Sequence, residues 1–185
     1  MLRLFVSVVI STAVLLVAPA AFATSVVLLD LETHLADSTA VVEAVVGASE
    51  SSLDSRTGRP VTDVRVDVKD TVYGETPETF RIRQLKGKVG AVEVHFPGAG
   101  ELVTGSRVLL FVVQAEGHWW LTALAQSVYD VSGEGQGARA VRQLDQLHLF
   151  VRDPVLGVVP LEGHKEETTE LDALKARVRA EGAAK

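Results

Sequence analysis

The sequence of 185 residues contains no cysteine, and this absence excludes several structural devices at once. No disulfide can crosslink the chain, so its stability has to come from packing. No thiolate can bind a metal ion, and no thiol can serve as a nucleophile or carry a lipid. The hydrophobic core therefore has to hold the fold without covalent help.

The chain also has fewer positively than negatively charged side chains. The chain has 18 lysines and arginines against 24 aspartates and glutamates, which gives a formal net charge of −6. Acidic surfaces repel phosphate backbones, so no nucleic-acid partner is predicted. The one basic concentration, formed by Arg81, Arg83, Lys86 and Lys88, is short, and we interpret it as a solvated strand face with its adjoining loop.

Residues 1–23 have the pattern of a secretory signal peptide. A basic start at Arg3 precedes an apolar run from Leu4 to Ala18, and Ala21 and Ala23 supply the small residues of a cleavage site. The alternative is an uncleaved membrane anchor, because the apolar stretch approaches the ~20 residues that cross a bilayer. Cleavage after Ala23 is favoured, because polar residues follow it.

Export with cleavage leaves no segment that could span a membrane, so no membrane association is expected afterwards. We expect the protein to be periplasmic or secreted. A cysteine-free exported domain is easiest to understand in a bacterial periplasm or medium.

Several segments of the remaining chain have the patterns of β-strands. Thr39–Ala48 and Arg107–Ala115 are apolar on both faces, which predicts central strands, with a bend at Gly47 in the first. Residues 63–69 and 79–85 alternate between apolar and polar or charged side chains, which predicts half-buried strands. Short turns separate these segments, and the whole pattern predicts a mainly β protein with a closed or nearly closed antiparallel barrel.

Short helices are expected at both ends of this barrel. Residues 30–36 can form about two turns before the first strand. In residues 169–180, Leu171, Leu174 and Val178 form one apolar stripe, with Thr168 or Thr169 as the cap.

The predicted boundaries are residues 24–160 for the barrel domain and residues 161–185 for a tail with an amphipathic helix. Residues 119–125 are assigned to a strand, and residues 144–151 are ambiguous between strand and helix. Residues 132–137 are rich in glycine but lack the context of a phosphate-binding loop, and apolar segments flank them as the arms of a hairpin would.

No catalytic, metal or cofactor signature is present. The five histidines lie in five different elements, and the cluster Ser49, Ser51, Ser52 and Ser55 is interpreted as a solvated loop. Glu93 and His95 are the only close pairing of acid and base, and two ligands do not make a metal site. We therefore predict no catalytic residue, no metal site and no cofactor.

The segment Lys86–Ser106 is the part of the chain that packing explains least. It is rich in glycine and about as long as a loop can be in a compact domain before a functional role is expected. Trp119 and Trp120 are neighbours on a strand and so face opposite ways, with Trp120 predicted to point outward. The alternative is that the loop or the terminal helix shields both rings. The candidate partner-binding residues are Glu93, His95, Phe96 and Trp120.

The order of segments resembles an exported bacterial β-barrel family of unassigned function. The resemblance rests on Ala36-Asp37 followed by Val41–Val46, on Pro97-Gly98 before the strand Gly105–Phe111, and on the hairpin Leu124–Tyr129. The layout is also distantly similar to the netrin-like, OB-type barrel of tissue metalloproteinase inhibitors. These resemblances imply an OB-like barrel and binding to a protein, with a secreted metalloprotease as one partner. Those inhibitors chelate zinc through an amino-terminal cysteine, which is missing here, where Thr24 is the expected first residue.

The sequence supports three hypotheses about function. The leading one is a non-enzymatic exported module that binds a partner protein through the Lys86–Ser106 segment and nearby strand ends. The alternative is a barrel that binds a small ligand or a glycan against Trp120. The third is a metal-dependent or acid/base hydrolase that uses Glu93 and His95.

Overall fold

A computed structural model describes residues 24–163 and 167–184. The predicted signal segment, residues 1–23, lies outside the described residues. No helix within the described ranges combines the length and the apolar character that crossing a bilayer requires.

The described chain consists mostly of β-strands. The strands are β1 (Thr24–Val27), β2 (Ala40–Leu53), β3 (Pro60–Tyr73), β4 (Thr79–Gln84), β5 (Gly87–Val89), β6 (Val92–Val94), β7 (Arg107–Ala115), β8 (His118–Leu121), β9 (Val128–Ser132), β10 (Arg139–Arg142), β11 (Leu147–Asp153), β12 (Gly157–Pro160) and β13 (Thr168–Glu170). The helices are α1 (Leu31–Ala36) and α2 (Leu171–Ala183), with short 3-10 helices at Leu124–Ser127 and Gly135–Gly137.

Five strands close into a barrel. Each strand of the ring β7–β2–β3–β4–β8 pairs with its neighbours, and β8 returns to β7. Four junctions are antiparallel, and the contact of β4 with β8, at Ile82 and Trp119, is parallel. The predicted mainly β fold and closed barrel are confirmed, with the short helix before the first barrel strand and the second helix at the C-terminal end.

The sheet continues beyond the barrel because β7 pairs along one edge with two strands. Its first half, Arg107–Leu110, pairs with β9, and its second half, Val112–Ala115, pairs with β8. Strands β10 and β13 extend the sheet beyond β9. A separate sheet, β1–β11–β12, brings the strand before α1 parallel to β11.

The two central strands are apolar on both faces because each face has its own core. One face of β2 and β7 fills the barrel, where Val42 and Leu110 are fully buried. The other face packs under the helices, where Val41 and Phe111 contact Leu35 and the α2 stripe. The predicted central strands are confirmed, and the register shift around Gly47 is the predicted bend.

Helix α2 is fastened to the barrel by both apolar and ionic contacts. The predicted stripe of Leu171, Leu174 and Val178 is buried. The predicted threonine cap is wrong, because Thr168 and Thr169 belong to strand β13, and the helix begins after Glu170 with no side-chain cap. The pairing of β13 with β10 continues to Glu170, so the threonines are not free to cap.

Two other local predictions need correction. The serines Ser49, Ser51 and Ser52 lie in β2 and not in a loop, because the pairing of β2 with β3 extends beyond the apolar run. The strand predicted over residues 119–125 ends at Leu121, where the chain turns into a 3-10 helix. The ambiguous stretch after Leu144 becomes β11 from Leu147, with Leu147 and Leu149 buried.

Candidate functional site

A cavity of about 530 Å³ opens between the turn that joins β2 to β3 and the turn that joins β7 to β8. The end of β4 forms its floor, and the chain after β6 forms one wall. Its lining residues are Asp54, Ser55, Arg56, Thr57, Arg59, Pro60, Val61, Arg83, Leu85, Val94, Phe96, Glu116, His118 and Trp120. We call this cavity the Trp120 cleft.

Arg83 holds the floor of the cleft together. Its Nε and Nη2 donate hydrogen bonds of 2.8 Å to the two carboxylate oxygens of Asp63, which lies opposite on β3. Its Nη1 lies 3.4 Å from Oδ2 of Asp54 and 3.0 Å from Nε2 of His118. Only 16% of the Arg83 side chain is exposed, so this network is largely screened from solvent.

The charges of the floor are fixed by these contacts. The hydrogen bonds from Arg83 lower the pKa of Asp63, and the same pairing raises the pKa of the guanidinium. Because arginine can only donate, Nε2 of His118 is the acceptor and the ring proton lies on Nδ1. The floor therefore presents ionised side chains and the imidazole of His118 in fixed positions.

The β2–β3 turn is shaped by Asp54. Its Oδ1 accepts hydrogen bonds from the backbone N–H groups of Arg56 and Thr57, at 3.2 and 2.8 Å. The bond from Thr57 is the largest reason why the pKa of Asp54 is lowered. Since the other oxygen of Asp54 faces Arg83, the turn and the floor are positioned by one carboxylate.

An apolar wall faces this polar floor. Trp120 is half-buried on the outer face of β8, and its ring meets the ring of His118 edge to face at 6.1 Å. Phe96 is 37% exposed and Leu85 is 53% exposed, which leaves both available for contact. Trp119 points the other way and packs on Phe80 at 5.0 Å beside the barrel core, so the two tryptophans face oppositely, as the alternation predicts.

Two arginines stand at the rim. Arg56 pairs with Glu116 at 2.8 Å across the mouth of the cleft, with both side chains mostly exposed. The side chain of Arg59 makes no hydrogen bond or ion pair with any part of the chain that the structure describes. The rim thus offers one uncompensated positive charge next to the apolar wall.

Of the four candidate residues from the sequence, the structure brings two into the cleft. Trp120 and Phe96 line it. Glu93 lies on β6 and pairs with Lys88 of β5 at 3.3 Å, on the exposed β5–β6 hairpin. His95 follows that strand, is exposed and does not line the cleft.

Sequence reasoning missed the polar half of the cleft. The sequence predicts a solvated strand face at Arg81 and Arg83, which is correct for Arg81 but wrong for Arg83. The difference arises because His118 and the β2–β3 turn cover Arg83, and both are distant in sequence. The one available signal in the sequence was that Asp63 and Arg83, which have opposite charges, lie on two strands that both alternate between apolar and polar residues.

The segment Lys86–Ser106 divides into an exposed part and an anchored part. Its first part forms the β5–β6 hairpin. Its second part packs against the barrel, where Nε2 of Gln84 donates to the carbonyls of Ala99 and Gly100 at 3.1 Å. Gly98 lies so close to Leu147 that a Cβ there would be 2.5 Å from that side chain. Phe96 comes just before this anchored part, which fixes its place in the wall of the cleft.

A serine and a histidine also meet in the interior, outside the cleft. Nε2 of His34 lies 2.9 Å from Oγ of Ser127, while Nη2 of Arg142 lies 3.2 Å from Nδ1. Because arginine donates to Nδ1, the neutral ring carries its proton on Nε2 and donates to the serine. This geometry gives the serine no base, so the pair is a buried structural contact.

No metal centre is formed within residues 24–163 and 167–184, where no three histidine, aspartate or glutamate side chains are grouped to hold an ion. Comparisons with protein-family models, with curated proteins and with solved structures gave no significant match.

Proposed function

We propose that this protein is a non-enzymatic binding module that acts after export, in the periplasm or outside the cell, and holds a segment of a partner protein in the Trp120 cleft. The observation that carries the proposal is the pairing of an exposed apolar wall with a charge-compensated polar floor. Both are built on barrel strands and short turns, which present such a site with little reorganisation.

The residue types in the cleft are those that dominate binding energy at protein interfaces. Tryptophan and arginine are enriched among such residues, and they act best in pockets from which water is excluded. Trp120 and Phe96 offer ring surface for an apolar side chain of the partner. The volume of about 530 Å³ fits one or two such side chains and not a folded domain.

The charges at the rim favour a partner segment with an acidic residue beside its apolar anchor. Arg59 has no partner among the described residues, and a carboxylate placed there would form a charge-assisted hydrogen bond. Arg56 is held by the exposed Glu116, and such exposed pairs exchange partners at little cost. A secreted metalloprotease remains one proposed partner, by the resemblance given above.

The proposal is tested with a peptide library displayed against protein purified after export. We expect enriched peptides that combine an aromatic or aliphatic residue with a nearby aspartate or glutamate. Replacing Trp120 or Phe96 (W120A, F96S) should weaken binding of the selected peptides at least tenfold, since each removes a central contact.

The matched control is Val103, an apolar residue of the same segment that is 61% exposed, against 37% for Phe96, and does not line the cleft. The V103S variant should bind like the unaltered protein. If W120A and F96S also bind selected peptides unchanged, or if no peptide is enriched, the proposal is wrong.

Glycan binding is the second candidate, and the observation that favours it is Trp120 beside mixed donors and acceptors. The ring face of tryptophan stacks on sugar rings, while Asp54 and His118 can exchange hydrogen bonds with hydroxyls. A glycan panel read by tryptophan fluorescence separates the candidates. Saturable quenching in the unaltered protein, with calorimetric binding that W120F retains and W120A loses, supports the glycan, whereas a flat fluorescence response of the unaltered protein across the panel rejects it.

A further inference from the structure

We propose a second binding site, independent of the Trp120 cleft, that takes an alkyl chain ending in a carboxylate. The site is a groove of about 680 Å³ between the chain that enters α1, strand β11 and helix α2. Its lining residues are Val27, Leu28, Leu29, Asp30, Leu31, Thr33, Tyr129, Arg142, Val151, Arg152, Glu167, Leu174 and Arg177. We call it the N-terminal groove.

Aliphatic side chains from three separate elements form the walls of the groove. Leu28 and Leu31 come from the entry to α1, Val151 from β11 and Leu174 from α2. None of these side chains is polar, so the walls that they form suit methylene groups. A volume of about 680 Å³ lies within the range that holds small molecules in proteins.

A buried cation lies at the base of the groove. Only 4% of the Arg142 side chain is exposed, and its one ionic partner among the described residues is Glu167 at 3.2 Å, a residue that is half-exposed. Its other hydrogen bonds go to neutral groups, the carbonyls of Gln126 and Leu29 and the ring of His34. A buried charge with a single solvated counter-ion favours additional negative charge nearby.

The rim adds two further cations. Arg152 and Arg177 line the groove and make no ion pair within the part of the chain that the structure describes. The acidic residues there are Glu167, which already pairs with Arg142, and Asp30, which caps α1 through Thr33. Among the described lining residues, three arginines against two committed carboxylates make this groove locally positive, although the protein is acidic overall.

The aliphatic walls and the positive charge of the groove together determine the class of ligand. A carboxylate would lie toward the arginines, and the alkyl chain would lie along the leucine and valine walls. A purely polar anion would leave the walls solvated, and an uncharged alkane would leave the arginines without a partner. The ligand is therefore of the fatty-acid type.

The test is isothermal titration of the exported protein with dodecanoate, below its micelle concentration. We expect saturable binding of one molecule per chain. Shortening the ligand should weaken binding about fourfold per methylene removed, because each one loses its share of buried apolar surface. Dodecanol, which has the chain without the charge, should bind at least tenfold more weakly.

The variant R152A/R177A removes the rim charges without touching the buried network, and it should bind dodecanoate at least tenfold more weakly. The control R139A alters an exposed arginine that lies on β10, outside the groove, and should leave binding unchanged. A W120A control, which removes one side of the Trp120 cleft, should also bind dodecanoate with unchanged affinity.

Absence of saturable binding to the unaltered protein would overturn the proposal. Equal affinity of dodecanoate and dodecanol, or of R152A/R177A and the unaltered protein, would overturn the carboxylate recognition on which it rests. Loss of dodecanoate binding in W120A would place the ligand in the Trp120 cleft and equally reject this site.

Discussion

His34 and Arg142, 108 residues apart in sequence, contact each other in the interior, where Nη2 of the arginine donates to Nδ1 of the histidine over 3.2 Å. The imidazole is fully buried and stacks on the ring of Phe111 with 4.3 Å between centroids. Burial, assisted by the charge of Arg142, lowers the pKa of His34 to about 3. The fold therefore depends on a histidine that stays neutral.

We predict that the free energy of unfolding decreases as the pH falls below about 6.5. The unfolded chain takes up a proton at His34 near its ordinary pKa, while the folded chain does so only near pH 3, so protons favour unfolding throughout this window. The loss should reach about 1 kcal/mol between pH 7 and pH 5.5. Urea unfolding at pH 7.5, 6.5 and 5.5 measures it.

The control for this prediction is H34Q, whose amide oxygen can still accept from Arg142. It should be less stable at pH 7.5 but should lack most of the slope above pH 5.5. The shifted carboxylates Glu43 and Asp63 have pKa values below their ordinary range, so they titrate outside this window. A proton NMR signal showing that His34 becomes charged in the folded protein near pH 6 would contradict the prediction.

We predict that Gly74→Ala destabilises the protein far more than Gly58→Ala. Both glycines have positive φ, +71° and +66°, so alanine pays a similar cost of roughly 1–2 kcal/mol for the left-handed conformation at each. At Gly74 a Cβ would also lie 2.2 Å from the carbonyl oxygen of Thr39, whereas nothing lies within 4 Å at Gly58. The clash should add about 1–3 kcal/mol to the loss in the free energy of unfolding. Urea unfolding of both variants measures the difference. Equal losses in the two variants would show that the packing at Gly74 relaxes freely.

The strands could be predicted from sequence because their signals are local. Val64 and Val66 alternate with charged residues, and the pattern alone identifies the buried face. Glu43 interrupts an apolar strand and gave no such signal. Its burial depends on Lys175, which is 132 residues away, so no local pattern could reveal that the carboxylate is paired.

The Trp120 cleft was also predictable only in part from the sequence. The outward direction of Trp120 follows from strand alternation, whereas the polar floor depends on how two turns meet over Arg83. Arg81 and Arg83 are two residues apart on the same face of β4, yet one is exposed and the other is covered. That difference is set by tertiary contacts with Asp54 and His118, which sequence periodicity does not encode.

We predict that Lys175→Met weakens the attachment of α2 to the barrel. The Nζ of Lys175 lies 2.5 Å from Glu43 and 2.7 Å from Asp70, and its side chain is largely buried. Among the described residues, its removal leaves Glu43 with Arg107 as its one remaining partner, which should cost about 2 kcal/mol. Faster hydrogen exchange in α2 and a lower urea midpoint would report the loss.

The matched control is Arg179→Ala on the same helix. Arg179 also pairs with Asp70, at 2.8 Å, but is exposed to solvent. Its removal should cost less than about 1 kcal/mol. If R179A and K175M lose equal stability, the burial of Lys175 contributes nothing to the attachment.

We predict that Arg83→Met destabilises the protein by about 1–3 kcal/mol at pH 7, while Arg81→Met costs less than about 1 kcal/mol. Removing Arg83 leaves Asp63 half-buried without its bidentate partner, whereas removing Arg81 only loses an exposed contact with Glu50.

In the unaltered protein the pKa of Asp63 is lowered, so the stability from this pair is present above pH 4 and is lost as the pH falls through the folded pKa. The deficit of R83M should therefore be largest near neutral pH and shrink below pH 4, and D63N should recover part of it at pH 7. Urea unfolding of R83M, R81M and the double variant R83M/D63N measures each comparison. A deficit of R83M that is equal at pH 7 and pH 3.5 would show that the loss comes from packing of the side chain and not from its charge.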